Sequence, residues 1–401
     1  MFLPMSKSEM RARSWDALDV ILVSGDAYID APQIGVAVIG NVLVAAGFRV
    51  GIIAQPDTHY AADITSLGEP LLFWGISAGS VDSMVANHTA LQKKRRSDDY
   101  TPGGENTRRP DRASIVYSTL IRRYFKPTVP IVLGGLEASL RRIAHYDYWS
   151  DTVRRSLLFD AKADLLVYGM AERTVRELAE RFRDALSSGR NSVRDNIEGG
   201  IPGTCEITKT VPEGYVLLPS FEEVLKSKQE FANMYRSFYD NTDPVSAHGL
   251  AQKHGDRWLL QHPPPAYESQ TELDAIAALP FERDAHPSYR NQGKLIALDT
   301  IRFSLQTHRG CYGECNFCAI AVHEGRRVRW RSEQSVLDEA AGLTRHPGFK
   351  GIIPDVGGPT ANMYGFECTK KIEKGACSDK RCVYPEICRQ LPVDHSRYTR
   401  L

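Results

Sequence analysis

Five apolar runs, "LDVILVSGD", "RVGIIAQP", "PLLFWGISAG", "PIVLGGLEAS" and "ADLLVYGMAE", recur through the first half of the chain. Each has glycine, proline or another small residue at or near its end. A strand covered on both faces reads as such a continuous apolar run, and parallel sheets are made of these strands. Between them, "GVAVIGNVLVAAGF" reads as a helix stopped by Gly47. "ERTVRELAERFRDAL" is strongly amphipathic, with oppositely charged residues four apart. Strand and helix alternating in this way predict an α/β fold, a Rossmann-like parallel sheet with helices on both faces over residues 1–200. Ligands of such sheets sit at the carboxyl ends of the strands.

A chain of 401 residues has room for two or three domains. Its 50 Lys and Arg balance 49 Asp and Glu, so no global field holds nucleic acid or an anionic membrane. The most apolar stretch, 36–54, contains Asn41, Gly47 and Arg49 and reads as helix, turn and strand rather than a membrane span. The start, "MFLPMSKSEMRARSWDALDVILV", lacks an apolar run of signal length before its charges, so a cytoplasmic protein is expected. The basic run in "HTALQKKRRSDDYTPGGENTRRPDRASIVYSTLIRRYF" reads as a solvated face, because acidic residues follow at once. The length of that loop keeps an active-site cover as the sharper alternative. Over 201–290 the periodicity weakens, and this span, with its stiff proline triplet, reads as a connector wrapping one domain against another. No internal repeat is evident.

Cysteine is used unevenly. Of eight, Cys205 stands alone and seven fall between 311 and 388. "RGCYGECNFCAI" places Cys311, Cys315 and Cys318 within eight positions directly after the apolar "KLIALDTIRFSLQTHRG". Clustered thiols in a large chain point to metal or redox chemistry rather than a disulfide scaffold. A zinc site built from two separated pairs fits this spacing poorly, and a dithiol redox role leaves the third cysteine unexplained. Closely spaced thiolates on a loop suit an iron–sulfur cluster, and three of them leave one iron of a cubane open to chelate a small molecule. Downstream, "SEQSVLDEAAGLTRH" reads as a helix capped by Ser332 and "KGIIPDVGG" as a strand with a glycine exit. Strand, ligand loop, helix and strand together form the first unit of a barrel.

The Cys311-x3-Cys315-x2-Cys318 pattern, with Phe317 before the last cysteine, resembles the signature of radical S-adenosylmethionine enzymes. "MFLPMSKSEM", "DVILVSGDAYID", "DVGGPTANMYGFEC" and "CVYPEICRQLPVDHSRY" narrow the resemblance, over nearly the whole chain, to the YgiQ-type (UPF0313) family. The resemblance implies a [4Fe–4S] cluster on Cys311, Cys315 and Cys318 whose open iron binds S-adenosylmethionine. Reductive cleavage then gives methionine and a 5′-deoxyadenosyl radical. It places Phe317 near the adenine and makes Gly357, Gly358 and Pro359 the counterpart of a glycine-rich turn at the cofactor. A flavodoxin- or ferredoxin-like reductant is implied, with a small-molecule or macromolecular substrate that the family does not identify.

The amino-terminal region also resembles cobalamin-binding domains. "GDAYIDAP" carries no histidine where a cobalt-ligating Asp-x-His-x-x-Gly motif would stand, which argues against cobalamin. Residues 1–204 contain no cysteine, which argues against an RNA methylthiotransferase. Residues 291–401 are expected to be an incomplete radical S-adenosylmethionine domain, stopping early because only 90 residues follow Cys311. Its cysteine-rich insertion, 366–390, holds Cys368, Cys377, Cys382 and Cys388, suited to a second cluster, to zinc, or to no ligand. The alternative for the whole chain is a non-catalytic iron–sulfur or zinc protein acting as electron carrier or scaffold. No acid or base is nominated. His308, His323 and Glu324 flank the loop, but each is read as a structural hydrogen-bonding residue.

Overall fold

The computed structural model describes residues 1–189, 199–360 and 363–401. The apolar runs form β1 (Val20–Ser24), β2 (Val50–Ala54), β3 (Phe73–Ser77), β4 (Ile131–Gly134) and β5 (Leu165–Val167). They are parallel neighbours in the order β2-β1-β3-β4-β5. The longest helices that cover these strands are α1 (Gly35–Ala45), α2 (Ala113–Tyr124) and α3 (Glu172–Ser187). Alternation along β1 explains why they take opposite faces. Val20 and Leu22 join one buried cluster with residues of α1 and α3, while Ile21 and Val23 join the other with residues of α2. The expected fold class is the observed one.

The span expected to be a connector is largely a continuation of this sheet. It contributes β6 (Thr204–Thr208), β7 (Val216–Leu218), β8 (Leu250–His254) and β9 (Arg257–Gln261). The order runs on from β5 as β6-β9-β8-β7, giving nine strands, with β6 and β9 antiparallel to their neighbours. Pairing Leu166 with Cys205 satisfies the backbone edge that β5 would otherwise expose. Residues 190–198, just before the expected boundary at 200, lie outside the described residues.

The long loop after β3 is anchored rather than free. Arg109, 3% exposed, pairs with Asp26 just past β1 and with Asp98 at 3.1 Å. Lys93, Lys94, Arg95 and Arg96 are exposed, as a solvated basic face requires. Among the described residues no helix is long and apolar enough to cross a membrane.

Toward the carboxyl end come β10 (Leu305–Gln306), β11 (His308–Arg309), α4 (Glu333–Leu343) and β12 (Val356–Gly357). Strands β10 and β12 pair in parallel, Leu305 with Val356 and Gln306 with Gly357. The expected strand, loop, helix and strand unit is therefore present, though its strands are two residues long. Ser332 caps α4 by accepting from the Ser335 amide.

Candidate functional site

Strand order reverses at β1, because the chain passes to β2 on one side and then to β3 on the other. At such a switch point the loops leaving adjacent strands part and open a crevice at the carboxyl ends. A cavity of about 400 Å³ lies there. Asp26 follows β1, Gly79 follows β3, Gly135 follows β4 and Gly169 follows β5 on its sheet side, while Arg309 and His323 face it from the cysteine-loop segment.

Glu172 and Arg309 join the two walls. Their side chains are 6% exposed or less and meet at 2.7 Å. Burial works against the charge of Arg309, but Glu172 and then Glu268 hold its pKa above the ordinary value. Burial likewise pushes the Asp26 carboxyl up, against the pull of Arg109. It also raises Glu324, which accepts the Gly310 amide at 2.9 Å.

The cysteine loop leaves β11 through Gly310, whose φ of +84° is the left-handed region. A Cβ there would stand 2.1 Å from the Arg327 carbonyl oxygen, so only glycine makes this turn. Cys311 is buried, Cys318 half-buried and Cys315 exposed. The Gly313 amide donates to Cys311 Sγ at 3.1 Å. The point a Cβ on Gly313 would occupy lies 3.2 Å from that sulfur and 3.7 Å from Cys315 Sγ. Cys318 donates its amide to the Cys315 carbonyl at 2.9 Å, which closes the turn. Three thiols on one tight loop, one already accepting an N–H bond, suit a cluster in donor chemistry. Among the described residues no three His, Cys, Asp or Glu side chains yet stand at ligating separation.

The loop is held from below by charge. Glu314, 4% exposed and between Cys311 and Cys315, accepts from Arg326 Nε at 2.9 Å, Lys371 Nζ at 3.2 Å and the Tyr239 hydroxyl at 2.9 Å. Tyr312 is fully buried, donates to the Phe366 carbonyl at 3.2 Å and stacks on the Phe366 ring. Sequence reasoning passed over Glu314, although a lone acid inside a ligand loop is itself a signal. It also passed over the Glu172–Arg309 pair, which joins positions 137 apart and leaves no local trace.

The other expected site residues, Phe317, Gly357, Gly358 and Pro359, do not line the switch-point cavity. Phe317 is 92% exposed and uncovered by protein. Among the described residues the cavity is lined by Ala319 and Ile320, directly after Cys318, but not by the three cysteines or by Gly357, Gly358 and Pro359. Gly358 does allow a close approach, but to a side chain of this chain. A Cβ on it would stand 2.5 Å from His308 Nε2, whereas one on Gly357 has only an ordinary 3.7 Å contact with Asp355. Gly358→Ala is therefore expected to destabilise the fold by about 1–3 kcal/mol through overpacking, and Gly357→Ala by well under that, as read from urea midpoints. Ala361 and Asn362, within the same glycine-rich stretch, lie outside the described residues.

His308 and His323 each have a hydrogen-bond partner, and His323 also lines the cavity. His308 stands 3.1 Å from the Thr360 carbonyl and His323 2.9 Å from the Ser139 hydroxyl. Burial lowers both to about 4, and His254, in the sheet core, to about 3. The unfolded chain takes up these protons near pH 6.5 and the folded chain only near 4, or near 3 at His254, so acidification favours unfolding. Stability is full above pH 6.5, and each ring removes about 1.4 kcal/mol per pH unit below it. Urea midpoints are expected to drop between pH 7.5 and 5.5; a flat profile would contradict neutral buried rings.

Comparison with known proteins supplies the family. A family model described as radical SAM N-terminal matches residues 2–304. A UPF0313 protein of Fusobacterium nucleatum is 50% identical over 401 residues, covering all of this chain and 69% of that protein. A UPF0313 protein of Thermotoga petrophila is 49% identical over 402 residues, with the same two coverages. Among solved structures, the radical S-adenosylmethionine methyltransferase TsrM from Kitasatospora setae with tryptophan and a SAM analogue bound is similar at a TM-score of 0.42 and 19% identity. That match covers 81% of this chain and 45% of TsrM. Another TsrM structure, titled as having cobalamin and a [4Fe–4S] cluster bound, has a TM-score of 0.40 and 19% identity, covering 82% and 46%. The expectation that cobalamin is absent draws no support from these matches.

Proposed function

The chain belongs to the UPF0313 family of radical S-adenosylmethionine proteins, and from that premise we propose that it is an enzyme that cleaves S-adenosylmethionine reductively at a [4Fe–4S] cluster held by Cys311, Cys315 and Cys318. The observation that carries the reading is the loop itself: three thiols on a turn that Gly310 alone permits, tied by Glu324 and Arg309 to a cavity at the sheet's switch point. The cluster, when bound, supplies the electron that breaks the sulfonium carbon–sulfur bond, yielding methionine and a 5′-deoxyadenosyl radical. The rest falls to the protein.

Gly313 donates an N–H bond to Cys311 Sγ at 3.1 Å, which fixes where that sulfur stands on the turn. Exposed Cys315 and Phe317 leave the outer side of the loop open for a cofactor. Substrate enters the 400 Å³ cavity, where Arg309 and His323 present donors from the loop side and Asp26 an acceptor from the sheet side. The described parts then divide the work, the sheet of 1–200 with its extension binding substrate and 291–401 holding the cluster. A flavodoxin- or ferredoxin-like donor in the cytoplasm supplies the electron.

The test is anaerobic reconstitution with iron and sulfide, followed by reduction and addition of S-adenosylmethionine. Formation of 5′-deoxyadenosine and methionine, with a change in the electron paramagnetic resonance signal on adding S-adenosylmethionine, is the expected result. A cluster whose signal S-adenosylmethionine leaves unchanged would instead identify an electron carrier.

A further inference from the structure

We propose that Cys368, Cys377, Cys382 and Cys388 form a tetrathiolate zinc site that clamps the carboxyl-terminal segment beneath the Cys311–Cys318 loop. The four residues are spread over 21 positions of sequence, yet all four line one small cavity. Cys368 and Cys382 are buried and Cys377 and Cys388 half-buried. The Cys388 amide donates to the Cys382 carbonyl at 2.8 Å, which folds the last two ligands back on each other.

Charge favours a metal centre over free thiols, and size selects the metal. The cavity is about 10 Å³, near the roughly 10–15 Å³ that one water-sized occupant needs. That suits a single ion, not a cubane of eight atoms. Zinc takes four thiolates in a closed tetrahedron, leaving a net double negative charge. The same cavity is rimmed by Lys370, Lys380 and Arg381, with Lys371 beneath. Lys371 is balanced by Glu314, and a dianionic centre would offer Lys370, Lys380 and Arg381 a counter-charge at the cavity they rim. The sulfurs do not yet stand at ligating separation, so the thiols must draw in round the ion.

The position of the site gives it a task. Lys371 Nζ, 1% exposed as a residue, reaches Glu314 of the cluster loop at 3.2 Å and the Arg326 carbonyl at 2.7 Å. Arg326 in turn donates to the Cys377 carbonyl at 2.8 Å, and Arg381 donates to Asn316. Closing zinc on the four cysteines therefore fixes both ends of the bonds that hold the loop carrying Cys311, Cys315 and Cys318. Zinc at these four cysteines does not depend on radical chemistry at the Cys311–Cys318 loop.

Elemental analysis of the full chain, purified anaerobically without added metal, tests it. About one zinc per chain is expected, retained in the Cys311/Cys315/Cys318→Ala variant and lost in Cys377→Ser/Cys388→Ser. Absence of zinc, zinc that follows the first three cysteines, or iron and sulfide held by the last four would each overturn the site. Should the double serine variant fail to fold, cobalt(II) exchanged into the intact protein supplies a separate readout. Intense tetrahedral bands with thiolate-to-cobalt charge transfer are expected, and a weak octahedral spectrum overturns the proposal.

Discussion

Replacing Cys311, Cys315 and Cys318 together with alanine is expected to abolish the iron binding and S-adenosylmethionine cleavage proposed for the loop while leaving the fold nearly intact. The two halves of this result have separate causes. Iron should be lost because the three cysteine sulfurs are the soft donors that the turn offers, and alanine offers none. The fold survives because the loop is held by groups that are not cysteines: Gly310 bonded to Glu324, Tyr312 bonded to Phe366, and Glu314 bonded to Arg326. Cys315 is exposed and Cys318 half-buried, so truncating them uncovers little; buried Cys311 accounts for most of a cost of about 1–2 kcal/mol. Iron and sulfide content, 5′-deoxyadenosine formation and a thermal midpoint measure the three quantities together. Full iron content in the triple variant would remove the loop from the chemistry.

The elements that read clearly in the sequence are those whose signal is local. The parallel strands are apolar on both faces because helices cover both, and α3 shows its amphipathic face outright. The extension β6–β9 is harder to read because its cues conflict. Gly255-Asp256 is a two-residue hairpin loop between β8 and β9, but Gln252, Lys253 and His254 interrupt the apolar alternation. Gln252 is buried at 1% exposure because it serves the Ala144 amide and the Pro219 carbonyl, neighbours that no window of sequence contains. The same holds at the site. Three cysteines in eight positions announce themselves, whereas Gly358 announces only that something comes close. That the something is the ring of His308, fifty positions earlier, is a fact of tertiary structure. Arg109 reads with its neighbours as part of a solvated basic loop, and is buried because Asp26 and Asp98 wait for it.

Glu314→Ala is expected to destabilise the protein by about 3–5 kcal/mol, the effect of removing one partner from a buried charged group. In the folded protein Glu314 is the common acceptor for Arg326, Lys371 and Tyr239. Its removal leaves two buried cations facing each other with no anion between them. Two features separate this from ordinary loss of packing. First, Glu314→Ala/Lys371→Met recovers part of the loss, because one uncompensated cation disappears, and a double-mutant cycle in urea reads that coupling directly. Second, Glu314 has a φ of +47°, a left-handed conformation that a side chain adopts only when its surroundings hold it there. Without the network the backbone between Cys311 and Cys315 is free to relax, so the iron occupancy proposed for the loop is expected to fall in Glu314→Ala although all three cysteines remain. Full iron content together with a loss under about 1 kcal/mol would show that the charges beneath the loop neither hold the fold nor shape the ligands.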